Sequence, residues 1–410
     1  MEIFLIGFHN IARNPRRSVL NVIALSIGVA MMIFGLGWIR GYSTTIYNGV
    51  KRLETGDLQV LRQGYLDQER RLPLDIAIPD AASAASWIER NPLVTAVAPR
   101  IDFSATVGTQ AGTVRVLGRA IDPAAEARVT SIREFVTEGV YLSSDSGGVL
   151  IGAPLASKLG VKVGQLIALS AVDRYSVQNY IEVPVRGVFR FGYPSMDESL
   201  VLVDVTTARG LLGMTGAATR LVVRLKEGAS ESNALTSIGK SLAGTGDIVY
   251  SWRRFAEAVV TATTADIGGF WIVFLIIFLL IIIGMLNSMS MSVQERTREI
   301  GTLRAIGIRR SQLTFLFLSE AAALALVAAA IGCLLGGAVA LYMQQVGFDF
   351  SSTSLEMPIP FGHRFTGDYR LSDFLTAAAV GVATALAGSL LPTRRAARLN
   401  ISRSLGARME

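Results

Sequence analysis

The sequence predicts an α-helical membrane protein with four transmembrane helices plus a large α+β extracytoplasmic domain. Three observations predict it. Four hydrophobic runs are each long enough to cross ~30 Å of hydrocarbon as a helix. Arginines crowd into the short segments beside those runs. Between the first run and the second lie about 225 residues (41–266) whose patterning mixes strands and helices. The bulk composition agrees: of 410 residues, 51% are hydrophobic and only 17% charged, too apolar for a soluble domain alone.

In chain order, residues 1–17 place Phe4, Phe8, Ile11 and Ala12 at helical spacing ahead of Arg13, Arg16 and Arg17, which predicts a cytoplasmic amphipathic helix lying in the inner interface. The first transmembrane helix is expected over 18–42. A signal peptide is the rival reading, but signal h-regions are shorter and end at a small-x-small site, whereas this run ends Trp38-Ile39-Arg40.

The extracytoplasmic domain is expected over 43–254. GDLQVL (56–61), LVTAVAPRIDFSATV (93–107), TRLVVRLKEG (219–228) and DIVYSW (247–252) read as strands; DAASAASWIER (80–90) and SESNALTSIGKSLAG (230–244) read as helices. These make two βαβ arrangements, a porter-like subdomain. A β-rich subdomain is inserted at about 112–215, where Val and Gly recur in short alternating runs.

A stalk and the second transmembrane helix follow over 255–293. A continuous helix from Phe255 to Met291 would measure roughly 55 Å, with Gly268-Gly269 as the place for a break. A charged segment covers 294–312. The third transmembrane helix, 313–343, is interrupted by Glu320; an extracytoplasmic loop takes 344–371. The fourth, 372–392, is expected to close at Pro392, leaving a cytoplasmic tail over 393–410.

Charge sets the orientation. The segment before span one, the 292–313 loop and the tail together hold thirteen arginines and four glutamates, a net +9; with +7 for the whole chain, the remainder carries about −2. Both termini and the 292–313 loop therefore belong in the cytoplasm of an inner (plasma) membrane, with the large domain periplasmic or extracellular. This also removes the main support for nucleic-acid binding.

Two histidines (His9, His363) and one cysteine (Cys333) exclude the usual His/Cys metal site and any intrachain disulfide. The GKS at 239–241 is no phosphate loop, since the earlier glycine it requires is Ala234. Ser143, Ser144 and Ser146 sit in a polar turn with no base at catalytic spacing.

The segment SVQERTREIGTLRAIGIRRSQL (292–313) stands apart. As a helix over 293–307 it aligns Val293, Ile300, Leu303 and Gly307 in one apolar stripe. Glu295 with Arg298, and Arg296 with Glu299, can pair along its surface. Gly307 is an expected stop and Ser311 an expected cap for the next helix. A plain interfacial anchor and a docking element fit this pattern equally. Glu320, ~10 Å into the third span, is costly there unless paired. It reads as a helix-end acid meeting Arg394 or Arg395, or as a switch contact between helices. Gly332 with Gly336, and Gly37 with Gly41, have the spacing of close helix approach, although generic packing fits as well.

The string QERTREIGTLRAIGIRRSQL closely resembles the loop between the second and third membrane helices of ABC transporter permeases of the MacB/FtsX superfamily, with the lipoprotein-releasing LolC/LolE-type permeases as the nearest branch. SVLNVIALSIGVAMM, TGDLQVLRQGY, VLIGAPLASKLGVKVGQLIAL, GVFRFGYPSMDESLVLVDVTTARGLLG, FLSEAAAL and LLPTRRAARLNISRSLGAR agree in order. The resemblance implies two permease chains, like or unlike, working with a dimer of cytoplasmic ABC ATPases. ATP and Mg would sit on those ATPases and no cofactor on this chain, which is then not itself an enzyme. MacB fuses its ATPase ahead of the permease; here 17 residues precede span one, so a separate ATPase is expected. The 293–307 helix becomes the coupling helix, with Glu295, Arg296, Arg298, Glu299 and Arg304 for polar contacts and Ile300 and Leu303 as apolar anchors. ATP-driven closure would move it, and the long second helix would carry the motion outward. The implied function is lipoprotein or lipid release with membrane lipids, lipoprotein cargo and a periplasmic carrier or outer-membrane protein as partners. No clear carrier-binding hook is recognisable. The alternatives are MacB-like efflux of small molecules or peptides, and an FtsX-like regulator of cell-wall hydrolases, which the size of the outer domain disfavours.

Overall fold

The computed structural model describes residues 15–143, 147–349 and 364–398. The amphipathic positions Phe4, Phe8, Ile11 and Ala12, the turn residues Ser144 and Ser146, residues 350–363 of the 344–371 loop and the tail beyond Arg398 lie outside them. Two compact units form. One holds the described residues of 45–261 and the other those of 15–44, 262–349 and 364–398.

The first helix, α1 (Pro15–Val50), runs eight residues past the expected end at 42 and is followed by a π-helical turn over Lys51–Thr55. Its polar last turns are held by packing. Tyr47 lies 5.1 Å from the Trp252 ring, and Val50, Trp252 and Ala256 form a buried cluster.

In the 45–261 unit, β1 (Leu58–Arg62), α2 (Ala81–Glu89) and β2 (Val94–Thr109) form the first βαβ arrangement. The chain continues through β3 (Gly112–Ile121), α3 (Pro123–Val129), β4 (Val136–Gly139), β5 (Val149–Gly152), α4 (Ala153–Leu159), β6 (Leu166–Val172), β7 (Gln178–Phe189), β8 (Leu200–Asp204) and α5 (Val205–Leu212). It then returns as β9 (Arg220–Leu225), α6 (Glu231–Ser241) and β10 (Asp247–Ser251). Four strands run β10-β1-β9-β2, every neighbouring pair antiparallel. The two βαβ arrangements thus interleave as a split βαβ fold. Asp80, Asp122, Asp204 and Ser230 cap α2, α3, α5 and α6 by accepting from backbone N–H groups of the first turn.

The inserted part is a closed barrel. β2 pairs β3, β3 pairs β8, β8 pairs β5, β5 pairs β7, β7 pairs β6, and β6 returns to β2. Phe103, Val107, Val149, Ile151, Leu169, Val185, Val201 and Val203 fill its core. Closure leaves no unpaired edge among the ring strands. The insert was expected to begin near 112, yet β2 already belongs to both parts. Val94–Arg100 pair with β9 and Arg100–Thr109 with β3. At ~3.3 Å per residue a strand of 16 residues reaches roughly 53 Å, enough to serve two sheets.

Where β2 passes from one part to the other, charges are buried together. Arg100 forks onto Glu126 with N···O distances of 3.0 and 2.6 Å, and its Nη1 donates to the Glu54 carbonyl in the π-helical turn. Arg119 donates to Asp102 at 2.7 Å, and Arg220 Nε lies 3.0 Å from the same carboxylate. Burial alone would push the Asp102 carboxyl up; Arg119 and Arg220 outweigh it and hold the group well below the usual carboxylate range. Burial likewise opposes ionisation of Glu126, and Arg100 overcomes it.

In the other unit, four helices are long and apolar enough to cross a bilayer: α1, α7 (Glu257–Glu295), α9 (Arg310–Gln345) and α10 (Leu371–Ala397), with α8 (Thr297–Ala305) between the second and third. α7 is unbroken at Gly268-Gly269 and measures roughly 58 Å for its 39 residues. α1 crosses α9 closely. A Cβ on Gly332 would lie 2.7 Å from Val29 Cβ and 2.8 Å from the Ser26 carbonyl, and one on Gly336 2.9 Å from Ile33 Cδ1. Ser26 Oγ donates to the Ala328 carbonyl at 2.9 Å across the same contact. Gly37 and Gly41 instead face Tyr369 and the Thr366–Gly367 backbone, a loop rather than a helix.

Pro392 does not close the fourth helix; α10 passes through it to Ala397. A proline removes one backbone donor and frees the Gly388 carbonyl, but the stretch is held by burial of Gly388, Ser389, Pro392, Thr393, Ala396 and Ala397, and its hydroxyls bond carbonyls of the adjoining turns. Thr393 Oγ1 donates to the Leu390 carbonyl at 3.0 Å and Ser389 Oγ to that of Ala385 at 2.7 Å.

Candidate functional site

The charged segment between α7 and α9 folds as two turns of helix held at three points. α7 continues to Glu295, and the backbone leaves helical geometry at one residue, Arg296 (φ −100°, ψ 18°). Thr297 Oγ1 bonds back to the carbonyls of Val293 (3.1 Å) and Gln294 (2.8 Å), which satisfies the end of α7.

At its other end α8 stops in a Schellman turn. Gly307, at φ +103°, donates to the Arg304 carbonyl, and Ile308 donates to that of Leu303, both at 3.2 Å. Leu303 and Ile308 also share one apolar cluster. The stop at Gly307 is as expected. The cap of α9 is Arg309 and not Ser311, because Gln312 reaches back to accept from the Arg309 N–H at 2.9 Å.

The predicted site residues divide between two faces. Glu295, Arg298 and Glu299 are exposed; Leu303 and Arg304 are half-buried. Arg304 Nη1 approaches the Ile308 carbonyl at 3.5 Å, across the turn. Ile300, assigned above as an apolar anchor for a partner, is only 2% exposed. It packs with Val293, Leu313, Phe317, Ala396 and Ala397 of its own chain, since the apolar stripe faces inward to close the helix ends. The outward apolar side chain is Ile306, 77% exposed, which falls off the 293-300-303-307 stripe. Its signal in the sequence is position: it lies one turn past Thr302 and two past Arg298 on a face otherwise polar.

Arg296 turns inward. Its Nη1 lies 3.2 Å from Glu320 Oε2 in α9, with side-chain exposures of 12% and 9%. Glu320 therefore meets an arginine from the preceding connection and not Arg394 or Arg395 as expected. A cavity of about 400 Å³ lies beside this pair, bounded by Ile300, Leu303, Gln312 and Phe317 among others. The arrangement is a stiff, arginine-bearing knob fixed by buried contacts on its inner face.

Two family patterns match this chain. The MacB-like periplasmic core domain family matches residues 18–240, more than half of it, and the FtsX-like permease C-terminal family matches residues 271–401. The macrolide export ATP-binding/permease protein MacB of Bordetella avium is 24% identical over 412 residues, covering 95% of this chain and 57% of the relative. The lipoprotein-releasing system transmembrane protein LolC of Xylella fastidiosa is 21% identical over 402 residues, covering 95% of this chain and 93% of the relative. The crystal structure of the periplasmic region of MacB from Actinobacillus actinomycetemcomitans aligns with 52% of this chain and 97% of its own, at 12% identity and a TM-score of 0.38. The chain spans a little over half the length of the MacB relatives it matches.

Proposed function

We propose that this chain, which belongs to the MacB/FtsX-like permease family, is the permease subunit of an ABC transporter and couples ATP hydrolysis by a partner ATPase to movement of its α+β domain. The observation that carries the reading is α8: a short charged helix fixed by its apolar face to the ends of α7 and α9, with Arg298, Thr302 and Ile306 turned outward. An ATPase surface that offers an acidic rim around an apolar notch would accept that face. In this reading α8 is cytoplasmic, the 45–261 unit is extracytoplasmic, two permease chains meet two ATPases, and ATP and Mg bind the ATPases.

The cargo is proposed to be a lipid-anchored protein or lipid taken from the outer leaflet. Support comes from the full-length match to LolC and from the membrane core, where Ala321, Ala325, Ala328 and Ala385 are completely buried in tight packing within one chain. Efflux of small molecules, named in the MacB relatives, is the competing outcome.

The test is reconstitution of the chain with an ABC ATPase of the same organism that co-purifies with it. Cysteines at Arg298 and Ile306 should crosslink to the ATPase, and ATP turnover should rise with acylated lipoprotein in the liposomes. Stimulation by a macrolide and not by lipoprotein would move the assignment to efflux. Absence of any crosslink or stimulation would refute the coupling reading.

A further inference from the structure

Ion pairs between membrane-helix residues are rare because an apolar pair of similar volume is less costly to bury. Arg296–Glu320 therefore asks for a role that apolar packing cannot fill. Ile300, Leu313 and Phe317 already hold α8 against α9, but such contacts are non-directional and permit sliding. A guanidinium–carboxylate contact fixes direction.

Its placement is specific. Arg296 is the single non-helical residue between α7 and α8, so its side chain governs the angle at which α8 leaves α7. Glu320 sits in α9, 24 residues on, and with Arg296 it lines the cavity of about 400 Å³ between α8 and α9. That space allows α8 to tilt toward α9 without clashing, so the angle is not set by packing alone. At the other end of α8 the Gly307 turn is a second pivot.

We propose that Glu320 is a positioning residue: by holding Arg296 it sets the angle of α8, and so the face (Arg298, Thr302, Ile306) that α8 presents to its partner. This rests on the docking reading above. Loss of either charge leaves α8 folded and attached through Ile300 but free to tilt into the cavity.

The experiment has two arms. In the first, the full chain carries Cys333→Ser with spin labels at Thr302→Cys and Leu326→Cys, in nanodiscs without ATPase, and the interlabel distance distribution is read by pulsed electron resonance. The expected result is one narrow distribution for the parent, clear broadening in Glu320→Gln and in Arg296→Gln, and recovery toward the parent in Arg296→Lys. A distribution unchanged in both Gln variants, with thermal stability in detergent also unchanged, would overturn the proposal. In the second arm the variants are assembled with the ATPase. Cargo-stimulated hydrolysis should fall roughly five- to ten-fold in both Gln variants, with the KM for ATP unchanged and Arg296→Lys intermediate. A broadened distance with hydrolysis unaltered would retire the docking reading while leaving the positioning of α8 intact; equal losses in Arg296→Lys and Arg296→Gln would overturn the role of charge.

Discussion

Arg40 and Asp373 join α1 to the first turn of α10 through two parallel N–H···O bonds of 2.8 Å each, and Arg40 Nη1 also donates to the Asp368 carbonyl at 3.1 Å. Asp373 is nearly buried, 4% exposed at its side chain, and it also accepts from the Arg370 N–H at 2.9 Å, closing the start of α10. One carboxylate thus caps a helix and tethers another.

Removing the arginine leaves a buried carboxylate half-satisfied. Arg40→Gln should destabilise the helix bundle by about 2 kcal/mol, less than a fully buried pair because Arg40 is partly exposed. Asp373→Asn should cost a similar amount through the weakened cap. Thermal unfolding in detergent, followed at Trp38 and Trp271, checks both; an unchanged midpoint in either would contradict the tether.

Close approach of α1 and α9 makes Gly332 and Gly336 intolerant of bulk. Gly332→Leu should force the helices apart and lower the unfolding midpoint by several degrees. Gly268→Ala, where a Cβ meets nothing within 4 Å, should be neutral or slightly stabilising. Equal effects from the two would mean that α1 does not pack on α9 as described.

Ile300 and Ile306 should separate cleanly. Ile300→Ala removes a buried side chain and should cost about 2–4 kcal/mol of stability. Ile306→Ala should leave stability within ~0.5 kcal/mol yet reduce ATPase stimulation in the assembled transporter. The reverse pattern, measured by thermal unfolding and ATP turnover on the same preparations, would mean that α8 presents its other face.

In the α+β unit, Asp102 and Glu126 have carboxyls depressed by their arginines, so the stability they contribute is present at neutral pH and lost as pH falls. Because the unfolded chain titrates near pH 4, the loss should begin only below about that value. Asp197 carries the opposite sign. Burial pushes its carboxyl up, against the N–H groups of Phe191 (2.9 Å) and Gly192 (3.0 Å) that favour the charge, so its contribution weakens as pH rises. Acid titration of Trp87 and Trp252 fluorescence should show no unfolding of this unit above pH 5; a transition centred higher would show that other groups dominate.

Breaking the buried fork is a larger perturbation. Arg100→Met should destabilise the unit by about 3–5 kcal/mol through the stranded Glu126, whereas Arg100→Met with Glu126→Leu should recover much of it. Protease resistance of the 58–251 region in the full chain reads the difference.

The four spans and most strands of the porter-like part were legible because each rests on a local signal: length of an apolar run, alternation, or a cap such as Asp80 or Ser230. The Gly307 stop was legible for the same reason, since a positive φ after a helix favours one residue type. What escaped was set by distant partners. The end of α1 extends to Val50 because Trp252, two hundred residues on, covers Tyr47. Pro392 stays helical because the stretch from Gly388 to Ala397 is packed into the helix bundle, which the local sequence does not announce. The two faces of α8 follow from Leu313, Phe317 and Ala396, so a stripe visible in the sequence could say that one side is apolar but not whether it turns in or out. Glu320 stands out in the sequence as an acid within a span, whereas Arg296 reads as a surface partner of Glu299, and only folding joins the two.

A ribbon that begins in one sheet and ends inside a barrel also sets the rules for remodelling this molecule. The barrel cannot be lifted out or exchanged as a cassette at residues 112 and 215, because the cut would strand the outer half of β2 and open the ring beside β6. Chimeras between relatives should survive only when the splice falls before Val94 and after Leu225, so that the whole shared strand travels with both of its partners.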